Sequence, residues 1–301
     1  MSALVDGFAS CVEELRTVLM DVPGLGVFAS EPFLFRPLLL LLALGIAAGP
    51  LGALVNLRRA EFNAEATVHA VFPGLVIGFA LGGIDGVFLG AALVGGIVAA
   101  VLTAASRRPG GNEGATAVLL ASFFAAGLTI SLRKGDMSGQ LEALMFGRLL
   151  ESTDADLLRT LIAAALVLLL VGATWKEQIA VAFDREGARV IGIRLVVVDA
   201  TLNVAIAGLV VAASAALGVL LGIAYLVIPG AAARLLAPAP MSLALAAAGV
   251  GVVGGIAGLG LVLVDAPRPL SPQGVVVLAL LVLLLGAVAV SRLRSTAGEA
   301  R

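Results

Sequence analysis

The chain has 301 residues, of which 60% are hydrophobic and 13% charged, with a formal net charge of −1. That balance, with no basic tract, excludes nucleic acid as a partner. Apolar runs too long for buried strands exclude a water-soluble α/β domain, and the lack of apolar–polar alternation excludes a spanning β-barrel. The expected class is all-α: a polytopic transmembrane helix bundle of about eight or nine spans, some broken or re-entrant.

In chain order, residues 1–33 come first as a mixed leader, interrupted by Glu13, Glu14, Arg16 and Asp21. They lack the continuous apolar centre of a signal peptide and read as an amphipathic segment on the membrane surface. A transmembrane domain is expected over 34–292 and a cytoplasmic tail over 293–301. Within it, hydropathy places spans near 35–57, 61–81, 86–105, 115–132, 157–174, 194–215, 217–236, 240–264 and 274–291. Twelve of the 19 basic residues, among them Arg58, Arg59, Arg107, Lys176, Arg185, Arg234 and Arg292, fall on one side when the C-terminus is cytoplasmic. The positive-inside bias therefore sets that end inside. The single Cys11 carries no disulfide or CxxC chemistry.

Glycines lie inside the spans, including Gly45, Gly49, Gly52, Gly251, Gly254, Gly255 and Gly258. Between helices in lipid, glycine lets backbones approach closely, so a tightly packed bundle is expected. Pro50, Pro73 and Pro229 each remove a backbone donor inside an apolar run. They suggest broken helices around a pathway; a kink without function is the competing reading.

The one histidine, His69, follows Glu65 by four residues, which puts both side chains on one helical face. An imidazole with a carboxylate suits a borderline divalent ion such as zinc, manganese or ferrous iron, and one helix supplies at most half a shell. Weak partial coordination is what a transit site requires. The alternative is that Glu65 favours a helix N-terminus while His69 bonds a neighbouring carbonyl. Asn63 and Thr67 read as packing or capping groups, and Asp199 with Asn203 as interhelical glue. Residues 176–193 form a charged segment on the inner side, in which Asp184, Glu186 and Ala188 belong to a short amphipathic helix ended by Gly192. It suits docking onto a soluble partner or serves as a solvated loop. No GxxxxGK[ST], HExxH or GxSxG motif occurs, so an enzyme is not expected.

Four stretches carry a family resemblance: Ala48-Gly49-Pro50-Leu51-Gly52; Glu65 through Gly74; Met145-Phe146-Gly147; and Tyr225 to Leu235 with its Pro229-Gly230-Ala231-Ala232-Ala233-Arg234. In order and spacing, from about Pro37 to Val290, the chain resembles the permease subunits of bacterial metal-ion ABC transporters, which import zinc, manganese or iron. It departs from that pattern in having Glu65 where the family usually has aspartate, in Asp265 to Pro269, and in the 1–33 leader.

The resemblance implies a multi-pass protein of the bacterial inner membrane that imports a divalent metal, zinc first and manganese next. It implies a homodimer, a separate cytoplasmic ATP-binding subunit and an extracytoplasmic metal-binding protein. No permanently bound cofactor is expected. By the same resemblance, Phe183, Asp184, Glu186, Ala188 and Gly192 would couple to the ATPase, and Glu65 and His69 would lie on the translocation path. The rivals are a proton-coupled secondary transporter, in which Glu65 and His69 relay protons, and an ABC permease for a metal chelate.

Overall fold

The computed structural model describes residues 2–22, 26–107, 112–133, 147–264 and 271–299, and among them every regular element is helical. The helices are α1 (Ser2–Leu19), α2 (Gly26–Ala29), α3 (Pro32–Leu57), α4 (Glu61–Ala70), α5 (Phe72–Ala105), α6 (Asn112–Arg133), α7 (Asp154–Ala173), α8 (Trp175–Phe183), α9 (Arg185–Val190), α10 (Leu195–Leu217), α11 (Val219–Leu236), α12 (Pro240–Val262) and α13 (Pro272–Glu299).

Eight segments are long and apolar enough to cross a membrane, the longest being Glu61–Ala105. That segment is two passes. Gly83 adopts φ 61° and ψ −151°, and beyond it the chain doubles back. A β-carbon at Gly78 would strike the Gly86 carbonyl, and one at Gly74 the Gly90 carbonyl, so glycine lets the two arms come to backbone contact. Each arm is about 33 Å long at about 1.5 Å per residue, enough to span the hydrocarbon, and the described residues therefore make nine passes. The gap expected between 81 and 86 is this turn. A second reversal sits at Gly218, φ 90°, between α10 and α11. Gly147, φ 82°, packs directly on it: a β-carbon there would meet the Leu217 carbonyl and lie 2.6 Å from the Gly218 nitrogen. The Met145-Phe146-Gly147 stretch thus needs glycine at its last position; its first two residues lie outside the described ones, as do Asp265 to Pro269.

The proline expectation needs correcting. Pro50 lies inside the unbroken α3 and Pro229 inside the unbroken α11, while Pro73 sits in the first turn of α5, where a missing donor is harmless. The interruptions fall at Val71, two residues before Pro73 as expected there, and at Gly83 and Gly218, away from Pro50 and Pro229. Pro50 and Pro229 adjoin the glycines through which their helices meet. A β-carbon at Gly52 would sit 2.5 Å from the Leu226 carbonyl oxygen, one at Gly230 2.5 Å from that of Gly52, and one at Gly45 2.7 Å from the Val252 nitrogen. Helices α3, α11 and α12 therefore form a wall at backbone contact, where dispersion replaces the hydrophobic effect that lipid cannot supply.

Arginines tie the ends. Arg234 of α11 donates to the carbonyl oxygen (3.2 Å) and Oδ1 (2.9 Å) of Asn56 at the end of α3. At the opposite end, Arg36 holds Asp154 through two bonds of 2.6 and 2.9 Å, fixing the start of α3 to that of α7. The leader begins with α1, whose Val12 joins the main core while Leu15 and Val18 stay exposed; Arg16 donates to the Ala29 carbonyl at 2.9 Å.

Candidate functional site: a groove beside Glu65 and a buried arginine–aspartate hub

Helix α4 buries Ala64, Ala66, Thr67, Val68 and Ala70, and turns Glu61, Glu65 and His69 away from that core. Short residues on the buried face let the helix press close; Thr67 satisfies its hydroxyl on the Asn63 carbonyl at 2.8 Å, and Asn63 Oδ1 accepts from Thr116 of α6 at 3.1 Å. Asn63 and Thr67 are thus packing groups in this geometry.

Glu65 is exposed and, with Glu61, lines one end of a groove of ≈ 760 Å³ between α4, α11 and the start of α13. Its walls are Leu220, Ile223, Val227 and Leu278, and Ser271 with Gln273 mark its far end. His69 sits one turn along from Glu65, half-buried, its ring edge-on to Phe124 at 5.6 Å between centroids. The structure brings Glu61 and Glu65 onto the groove, while His69 is not among its lining residues and packs on Phe124 of α6. No salt bridge joins Glu65 to His69, and no group of three or more metal-ligating side chains forms among the described residues.

At the arginine-rich end, the segment expected to dock a partner folds as α8 and α9. Asp184 caps α9, its Oδ1 accepting from Gly187 N at 2.9 Å. Gly192 ends the segment with φ 91°. Phe183, Val190 and Ile191 are exposed by 75%, 86% and 74%, forming an apolar tip, and Glu186 is exposed beside Arg189 at 3.5 Å. Ala188 differs from the expectation of a partner-facing residue: it is buried against Val181 and Val198, so it seats the segment on the bundle.

Sequence reading missed the hub beneath this segment. Asp199, 5% exposed in the first turns of α10, accepts from Arg58 on Oδ1 and from Arg185 on both oxygens, at 3.1 and 2.5 Å. Arg58 also donates to Gln178 Oε1 at 2.6 Å, and Gln178 Nε2 donates to the Val198 carbonyl at 2.9 Å. The carboxylate raises the proton affinity of both partners, yet the net shifts run in opposite directions. Arg185, partly exposed, has its proton affinity raised, chiefly by the hydrogen bond to Asp199. Arg58, more deeply placed, has its affinity lowered, because desolvation outweighs the same carboxylate. A carboxylate inside an apolar run was the available signal. Asn203 does serve as a link between helices, donating to Thr103 Oγ1 at 3.0 Å.

The sequence pattern of the ABC 3 transport family matches residues 30–291. The chain belongs to the ABC 3 transport family. It is therefore a multi-pass membrane permease, a transport component of an ABC system, and the bacterial inner membrane is its setting. Among relatives, it is 31% identical over 232 residues to the manganese transport system membrane protein MntC of Listeria innocua, covering 75% of this chain and 80% of that one. It is 31% identical over 247 residues to the zinc transport system membrane protein TroC of Treponema pallidum, covering 79% and 82%. Its fold matches PsaBC from Streptococcus pneumoniae, solved with a Fab, at TM-score 0.71 and 25% identity over 88% of this chain and 94% of that one. The family match begins just before α3, so α1 lies outside the ABC 3 region.

Proposed function

We propose that this ABC 3 permease carries a divalent first-row metal ion inward through a path formed where two copies meet along the Glu65 groove. The observation that carries this is the open face of α4, where Glu61 and Glu65 line a groove of ≈ 760 Å³ and His69 follows one turn on, half-buried against Phe124. Two copies related by a twofold axis would double a half-shell of one imidazole and nearby carboxylates into a site able to hold an ion in transit. Carboxylates of Glu61 and Glu65 line the groove and the imidazole does not, which favours manganese over zinc; both ions appear in the names of relatives.

ATP would act from a separate cytoplasmic subunit seated on the apolar tip of Phe183, Val190 and Ile191, and an extracytoplasmic binding protein would deliver the ion. Asp184 and Gly192 would shape that tip and Ala188 would anchor it. Family membership favours this ATP-driven reading over proton-coupled exchange through Glu65 and His69. The permease reconstituted in liposomes with its ATP-binding subunit and binding protein should take up manganese, and His69→Ala and Glu65→Gln should each lower uptake about tenfold or more. Normal uptake of manganese, zinc and iron by His69→Ala would sink the inner-site reading. Uptake of a metal chelate unaffected by both substitutions would favour the chelate permease.

A further inference from the structure

One carboxylate is shared by two arginines at the buried hub. Segment α8–α9 meets the bundle through an apolar pad of Val181, Ala188 and Val198, through Gln178 bonded to Arg58 and the Val198 carbonyl, and through the carboxylate of Asp199. Both oxygens of that carboxylate are engaged, one shared between Arg58 and Arg185 and the other held by Arg185. Arg185 opens α9, while Arg58 forms the turn after α3, three residues before the start of α4. The Asp199 side chain therefore links α9, the part of the segment proposed to meet the ATP-binding subunit, with the turn that leads into the helix carrying Glu65 and His69, while Gln178 of α8 holds Arg58 from the other side.

Two guanidiniums and one carboxylate are a poor choice if stability alone were served. Buried ionic triads are often matched or surpassed by apolar side chains of similar volume, whereas they supply discrete alternative pairings. The two arginines are unequally free. The Arg185 side chain is 40% exposed and that of Arg58 8%, so Arg185 is the partner able to leave when α9 moves. Its departure leaves Asp199 paired with Arg58 alone, a neutral couple that needs no new partner. Arg58 then has the whole carboxylate, and the turn it caps can shift, together with the α4 helix that begins beyond it.

We propose that Asp199 is a positioning residue that relays movement of the 183–192 segment, by exchange between Arg185 and Arg58, to the Glu61–Ala70 helix and its transport site. This rests on the reading of that segment as the seat of an ATP-binding subunit. The experiment measures ATP hydrolysed and manganese transported in the same proteoliposomes, and reads their ratio. The triple variant Arg58→Met, Asp199→Leu, Arg185→Met removes the relay without leaving a buried charge unpaired. The ions carried per ATP should fall about tenfold, within the usual range of coupling between sites. Arg185→Met keeps the Arg58–Asp199 pair intact, so a merely structural hub predicts an unchanged ratio, whereas the relay predicts a fall that Arg185→Lys partly restores.

A wild-type ratio in the triple variant or in Arg185→Met overturns the relay. Should the triple variant not assemble, Arg185→Met decides alone. Failure of the wild-type permease to bind an ATP-binding subunit at all would refute the seat, and is seen separately by co-purification.

Discussion

Helix α11 shows two faces with opposite construction. On one, Gly230 meets Gly52 at backbone distance and Tyr225 is fully buried; on the other, Leu220, Ile223 and Val227 line a groove left open in the single chain. The wall face is made by removing side chains until helices touch. The groove face keeps branched side chains and leaves space. In a bilayer this difference separates what holds the chain together from what a second copy, or a moving helix, can use.

The sharpest way to break the comparison is to put a side chain where each face least and most allows it. Gly52→Leu drives a branched side chain into the Leu226 carbonyl, which belongs to backbone and cannot rotate away. Overpacking costs about 1–3 kcal/mol even where side chains can adjust, so this variant should lose most folded protein, as judged by yield and monodispersity after detergent extraction. Val227→Trp on the groove should leave the monomer's thermal stability within about 0.5 kcal/mol. It should instead reduce the dimer fraction measured by cross-linking in liposomes. Equal damage to folding by both variants would remove the distinction between wall and groove.

Much of this was legible in the residues. Eight or nine passes emerge from hydropathy because a spanning helix cannot hide its length, and the Glu65–His69 spacing places both side chains on one face of α4 by helical geometry alone. What stayed hidden was long-range. Asp199 finds Arg58 across 141 positions of sequence, and no local pattern announces that pairing. The prolines misled for a physical reason: Pro50 and Pro229 delete a donor without deflecting their helices into separate elements, and glycine, at Gly83 and Gly218, supplies the backbone angles at which the chain turns. Ala188 looked like one residue of a docking surface; a small side chain at that position in fact lets α9 lie flat on Val198.

The smallest effect belongs to the wall face itself. Tyr225 is fully buried and its hydroxyl has no hydrogen-bond partner among the described residues, pressed as it is towards Gly255. An unsatisfied buried hydroxyl contributes no bond, and removing it relieves a desolvation penalty of about 1–3 kcal/mol, partly offset by the small void it leaves. Tyr225→Phe should therefore match or slightly exceed the wild type in thermal stability, with dimer fraction and transport unchanged. A clear loss of stability would mean that the hydroxyl is bonded after all, and that the wall between α11 and α12 holds a polar contact as well as glycine packing.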